Sequence, residues 1–117
     1  MASGPPARRI SVRRGEVWWV NFDPTEGSEI RKTRPAVVVT ADALNRARRT
    51  VVVVPLSTGP RPHPPIVVAT PSAGEGSVAV CDQVRAVDKR RLTRNEGQLS
   101  AADVRSIEDG LRRILEL

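Results

Sequence analysis

Cysteine and histidine each occur once in these 117 residues, tyrosine is absent, and aromatic side chains make up only 3%. Each shortage closes off a class of chemistry. A lone Cys81 has no partner for an internal disulfide, which points to a reducing, cytoplasmic setting. One histidine and one cysteine supply no His/Cys cluster for zinc within a chain, so no metal or other cofactor is expected. His63 lies in the proline-rich "PRPHPP" and reads as a solvated loop residue rather than a catalytic one. No apolar run approaches the ~20 residues that span a bilayer. The start, "MASGPPARRISVRR", carries basic residues but no hydrophobic segment, so it does not read as a signal peptide. Glycine-rich phosphate loops and nucleophile elbows are also missing.

What is present is valine and arginine. Hydrophobic residues make up 39% and charged residues 27%, a balance that suits one soluble domain with an aliphatic core. Lys and Arg outnumber Asp and Glu by 19 to 13, a formal charge of +6. That excess favours an anionic partner, nucleic acid foremost, and arginine suits two-pronged phosphate binding better than lysine does. Composition alone is equally compatible with a basic, merely solvated surface.

The β-branched runs predict strands. "EVWWVNF" (16–22), "PAVVVTA", "TVVVVPLS", "IVVAT" and the long "SVAVCDQVRAV" each read as strand, with one more short strand within "DKRRLTRNEGQL". "DALNRAR" is long enough for a helical turn or two. Pro55 offers no N–H to a ladder, so its strand must be bulged or lie at an edge there. One clear helix spans 100–116, with Ser100 as N-cap, Asp103 as a capping-box variant, and Val104, Ile107, Leu111, Ile114 and Leu115 on one stripe. Gly110 weakens that helix by ~1 kcal/mol relative to alanine. Five to seven strands with short connections and a C-terminal helix predict a mostly β (α+β) fold, an antiparallel, strongly curved sheet or small barrel.

One segment resists a plain reading. The strand with both tryptophans runs into ten polar and turn-forming residues before order resumes at Arg34-Pro35, whereas a simple hairpin closes in two to five. Polar residues gather at the strand ends: Glu29, Arg34, Ser57, Thr58, Asp82, Gln83 and Arg85. Arg34 suits a surface ion pair and Ser57-Thr58 a strand end. Asp82 shares strand parity with Val80 and Val84, so it is expected to face the apolar side, paired, unless a bulge intervenes.

Three blocks, "RRGEVWWVNFDPTEGSE…TRPAVVVT", "VVVVPLST" and "SVAVCDQVRAVDKRRL", resemble the MazF/PemK/Kid group of bacterial type II toxin endoribonucleases, in order and spacing. The resemblance runs from about Arg14 to the C-terminal helix. It implies a toxin domain over 12–117, and the residues before it, 1–11, read by composition as a flexible tail. It implies a small SH3-like antiparallel barrel of CcdB/PemK/MazF type with a C-terminal helix, working as a homodimer. It further implies metal-independent, sequence-specific cleavage of single-stranded RNA by 2′-hydroxyl attack, leaving a 2′,3′-cyclic phosphate and a 5′-hydroxyl. A cognate antitoxin would neutralise it.

By the same resemblance, Arg34 in "RP" takes the family's catalytic arginine position and Ser57 in "PLS" its Thr or Ser. Ser28, Glu29, Thr58, Asp82, Gln83 and Arg85 match positions lining the RNA channel, and the loop at about 23–33 borders that channel. The residue types fit the chemistry. A guanidinium can hold two phosphoryl oxygens, a hydroxyl can donate to the same oxygens, and a carboxylate at Glu29 or Asp82 can accept a proton or hold Arg34. The Kid branch has a histidine in the first loop and an arginine just before "CD"; here Ser28 and Val80 stand there. A Kid-style histidine base is thereby excluded, the case for Asp82 as base weakens, and Arg34 with Ser57 is intact. Ala86 stands where many relatives have Thr.

Three rivals remain. A CcdB-like gyrase poison shares the barrel without the nuclease residues, and Arg34 with Ser57 argues against it. A non-catalytic RNA-binding barrel needs surface aromatics, but Trp18, Trp19 and Phe22 all lie in one strand and some must be core. A purely structural domain is the third.

Overall fold

The computed structural model describes residues 10–22 and 33–117. Seven strands and two α-helices follow one another: β1 (Glu16–Asn21), β2 (Thr33–Val38), α1 (Asp42–Ala47), β3 (Thr50–Ser57), β4 (Val67–Ala69), β5 (Val78–Val80), β6 (Arg85–Asp88), β7 (Leu92–Gln98) and α2 (Ala101–Leu115). All pairings are antiparallel, in the order β4-β5-β3-β2-β1-β7, with β6 also on β3. The predicted mostly β fold with a C-terminal helix is what forms. Register shifts between Val17 and Trp18 and between Trp19 and Val20 interrupt the β1–β7 ladder. Such bulges tighten the right-handed twist and help the sheet curl.

The unbroken valine run of β3 has a direct cause: this strand is covered on both faces. Val51 and Val53 join Trp18, Val20, Ala36, Val38, Val87 and Leu92 in one core, inside the curl. Val54 and Leu56 point the other way, into a second core with Val17, Val37, Val68, Ala79, Cys81 and Ile107 of α2. Full burial of each such aliphatic side chain contributes roughly 1.5–3 kcal/mol.

Helix α2 starts where Ser100 Oγ accepts the N–H of Asp103 at 3.1 Å. The carboxylate of Asp103 does not reach back to close the capping box. It accepts the Ser72 N–H at 2.8 Å and the Ser72 hydroxyl, while Ser72 Oγ accepts the Ser100 N–H at 3.0 Å. The cap is thus completed by a residue from a distant turn, which ties the helix to the sheet. Ile107 is buried, and Val104, Leu111 and Ile114 pack against the same core. Leu115 departs from the predicted stripe, at 51% exposed, since the last turn runs past the sheet it would need to cover.

The run "SVAVCDQVRAV" does not form one strand. It breaks after Val80 into a 3-10 turn at Cys81–Gln83, closed by the Val84 N–H donating to the Cys81 carbonyl at 3.2 Å. The reason lies on the partner. β3 pairs with β6 through Val53↔Arg85 and with β5 from Leu56↔Ala79, and Pro55 falls between the two ladders. With no N–H at Pro55, a single continuous partner strand there loses its hydrogen bonding, and the chain turns instead.

Candidate active site

Arg34 is the second residue of β2, exposed and paired with Val20 of β1. Ser57 ends β3, half-buried, with Oγ accepting the Gly59 N–H at 3.3 Å. The β2–β3 ladder closes at Ala36↔Pro55. Carried two residues further, that register sets Arg34 opposite Ser57 on the same face. At such opposed positions Cβ atoms stand about 5 Å apart. On the far side of β3, Arg85 pairs with Val53 and shares the face of Val53 and Val87. Arg34, Ser57 and Arg85 therefore share one face of the curled sheet, the face whose deeper positions form the valine core, with Arg85 standing opposite Val53 further along β3 from Ser57.

Phe22 joins them from the end of β1. The Arg85 guanidinium carbon lies 5.3 Å from the centroid of its ring, within reach of a cation–π attraction. Arg91 also reaches this corner, donating from Nη1 to the Asn21 carbonyl at 3.0 Å. Neither contact was foreseen from sequence. Phe22 and Arg85 are far apart along the chain, and only the curl of the sheet brings them together.

The other expected site residues divide. Thr58 is exposed directly after Ser57, and Asp82 and Gln83 are exposed on the 3-10 turn leading into Arg85. Asp82 therefore does not face the apolar side as strand parity predicted; the turn breaks the alternation and leaves its carboxylate in solvent. No hydrogen bond or ion pair joins it to Arg34 or Ser57 among the described residues. Ser28 and Glu29 lie outside the described residues. The residue buried in that turn is Cys81, whose Sγ packs against α2 at Gly110. Burial, then the neighbouring Asp82 charge, pushes its thiol up to about 11.

Arg34 makes no ion pair with any described residue, so none of them neutralises its charge at the strand end that the continued register sets toward Ser57. This pair can bind an anionic oxygen from two sides. The tryptophans, by contrast, serve structure first. Trp18 is core, with its indole N–H donating to Glu16 Oε1 at 3.0 Å. Trp19 faces the other way, beneath the Arg94 guanidinium at 5.7 Å, in a shallow hollow with Thr33 and Thr93.

Residues 13–115 match the family described as PemK-like, MazF-like toxin of type II toxin–antitoxin system. The chain is 34% identical over 115 residues to endoribonuclease MazF9 of Mycobacterium tuberculosis, spanning 91% of this chain and 98% of that protein. It is 39% identical over 87 residues to endoribonuclease PemK of Escherichia coli, spanning 71% of this chain and 65% of that one. Among solved structures, an endoribonuclease from a mycobacterial species superposes with a TM-score of 0.77 at 26% identity, over 92% of this chain and 94% of the other. A mycobacterial endoribonuclease in complex with its cognate antitoxin superposes with a TM-score of 0.73 at 27% identity, over 90% and 95%. None of these names favours the gyrase-poison reading.

Proposed function

The chain belongs to the PemK-like, MazF-like family of type II toxins, and on that premise we propose that it is an endoribonuclease cleaving single-stranded RNA at chosen sequences without a metal. The observation that carries the proposal is the β2–β3 register, which continued past Ala36↔Pro55 sets Arg34 opposite Ser57 at a sheet end, with Arg34 in no ion pair among the described residues. The 2′-hydroxyl gives its proton to water and its oxygen attacks the adjacent 3′-phosphate, forming the O2′–P bond as the P–O5′ bond breaks. A 2′,3′-cyclic phosphate and a 5′-hydroxyl result, and the departing O5′ takes up a proton. Arg34 holds two non-bridging oxygens of the phosphorane as their charge grows, and Ser57 donates its hydroxyl to the same group. Thr58, Asp82, Gln83 and Arg85 meet the strand and set which bases fit, with Ser28 and Glu29 assigned to the same role by the family's motif alone.

The active form is a homodimer acting in the cytoplasm, with residues 12–117 as its toxin domain. A cognate antitoxin holds it inactive; the antitoxin-bound structure among its relatives supports this. Sedimentation showing only a compact monomer at micromolar concentration would remove the dimer from the proposal. The decisive test of the activity is a defined RNA library incubated with the protein in chelator, followed by mapping of cut sites and end groups. Cyclic phosphate and 5′-hydroxyl ends at recurring sequences are expected. Intact RNA, or cleavage of a substrate with deoxyribose at the scissile position, would refute the mechanism.

A further inference from the structure

We propose that Arg46, Arg48, Arg49, Lys89 and Arg90 form a phosphate-holding surface contiguous with the candidate active site, gripping the RNA over several nucleotides beyond the cleaved bond. The inference rests on the RNA reading above and extends it to a surface that the catalytic residues do not use.

Two stretches distant in sequence meet to make this surface. The Lys89 N–H donates to the Arg49 carbonyl at 2.8 Å, and Thr50 pairs with Asp88 where β3 begins and β6 ends. The end of α1, the following residues 48–49 and the 3-10 turn Lys89–Arg91 thus share one edge. Arg46, Arg48, Arg49 and Arg90 are exposed, and Lys89 is half-buried.

Of these five, only Arg90 is paired with a nearby carboxylate, Asp88, among the described residues. Asp42 accepts the Arg14 N–H at 2.7 Å and Asn45 Nδ2 at 3.3 Å. Asp88 accepts the Arg90 N–H at 2.8 Å and its guanidinium at 3.2 and 3.4 Å. Among the described residues, Arg46, Arg48, Arg49 and Lys89 form no ion pair. Unneutralised like charges held together cost free energy in the unbound protein, and a bound polyanion relieves that cost.

Continuity with the site selects the polyanion. Arg91, in the same turn as Lys89 and Arg90, is anchored to the Asn21 carbonyl; Asn21 pairs with Thr33, the neighbour of Arg34. Arg85 opens the four-residue strand that leads into that turn. At about 3.3 Å per residue β6 covers ~13 Å, a span that a few nucleotides of extended single strand cross. Guanidinium groups on that path bind phosphates whatever the base, as a backbone-tracking groove does.

The test uses the full chain and RNAs of stepped length, each with deoxyribose at the scissile position so that binding is read without cleavage. The variants are Arg48→Glu/Arg49→Glu and, as the gentler change, Arg48→Gln/Arg49→Gln, each checked for an unchanged thermal melt. For the unaltered protein, affinity should rise with RNA length at least tenfold beyond the shortest substrate. The variants should bind the shortest RNA as the unaltered protein does and lose that gain. On the longest RNA, the slope of log affinity against log salt should fall by about 0.7 for each phosphate contact removed. Equal slopes and equal length dependence in variant and unaltered protein would overturn the proposal. So would variants that keep RNA affinity yet lose binding to an acidic polypeptide such as poly-glutamate, which would assign the surface to a protein partner. If the unaltered protein binds none of the RNAs, the RNA reading itself fails and this inference with it.

Discussion

Arg34 stands at a strand end with its guanidinium unpaired among the described residues, so truncating it removes charge from the surface without opening a core cavity. Arg34→Ala is therefore expected to keep the fold while cleavage falls roughly a hundred- to a thousandfold, about 3 kcal/mol, as for loss of one preorganised donor at a developing oxyanion. Arg34→Lys should recover little, because an ammonium keeps the charge and loses the two-pronged geometry. Ser57→Ala should be similarly damaging and Ser57→Thr tolerated, since in the proposed mechanism the hydroxyl is what the phosphate meets; single-turnover cleavage of one defined RNA measures all four. Full activity in Arg34→Ala would sink the assignment. Cys81 makes the opposite case, a residue inside a recognisable motif that packing claims. It is buried, and its thiol is pushed up to about 11, so at pH 8 it carries almost no thiolate. A thiol-specific reagent should label the native protein far more slowly than the denatured one, and equal rates would contradict its placement.

Helix α2 shows how far local pattern goes at the scale of an element. Its cap residue Ser100 and most of its apolar stripe were legible, because a helix writes its ends and its buried face into nearby residues. The strands were legible for the same reason, in runs of valine. What the sequence concealed was set at a distance: the break at Cys81–Gln83 follows from a proline on another strand, and the Arg34–Ser57 opposition from register. Gly110 belongs to that hidden class. Read locally it is a weak point, but a Cβ there would lie 2.9 Å from the Pro65 carbonyl oxygen and 3.1 Å from Cys81 Sγ. Gly110→Ala would gain ~1 kcal/mol of helix propensity, yet forcing backbone apart typically costs about 1–3 kcal/mol. Net destabilisation in urea is expected, and a more stable variant would show the contact to be slack. The short α1 is joined to the N-terminal segment by Asp42, which is held below the usual carboxylate value chiefly by the Arg14 N–H, then by Asn45 and by Arg46 and Arg13. A lowered folded value means the contribution is complete above the ordinary carboxylate range and is lost as pH falls through the lower one. Stability of Asp42→Asn should consequently fall less steeply with pH below about 4 than that of the unaltered protein, measured by urea titration at stepped pH. Parallel profiles would remove Asp42 from the acid response.

At the scale of the whole molecule, charge decides more than shape. A formal +6 in 117 residues is of little help to folding, since like charges repel across a small domain. Its distribution gives it a use, because Arg34, Arg85 and Arg91 meet the end of β1 through Val20, Phe22 and Asn21. On the function proposed above, a strand of RNA entering there displaces condensed counterions from its own backbone, and their release drives binding by an amount that salt controls. For single strands the slope of log affinity against log salt is about −0.7 per phosphate neutralised. Three or more phosphate contacts at this end alone would make that slope about −2 or steeper. The affinity of an RNA carrying deoxyribose at the scissile position should then drop at least several-fold between 50 and 200 mM salt, as fluorescence anisotropy would record. A substrate analogue bound equally well at both concentrations would mean that bases rather than phosphates hold the RNA, and that the arginines at the end of β1 serve another purpose.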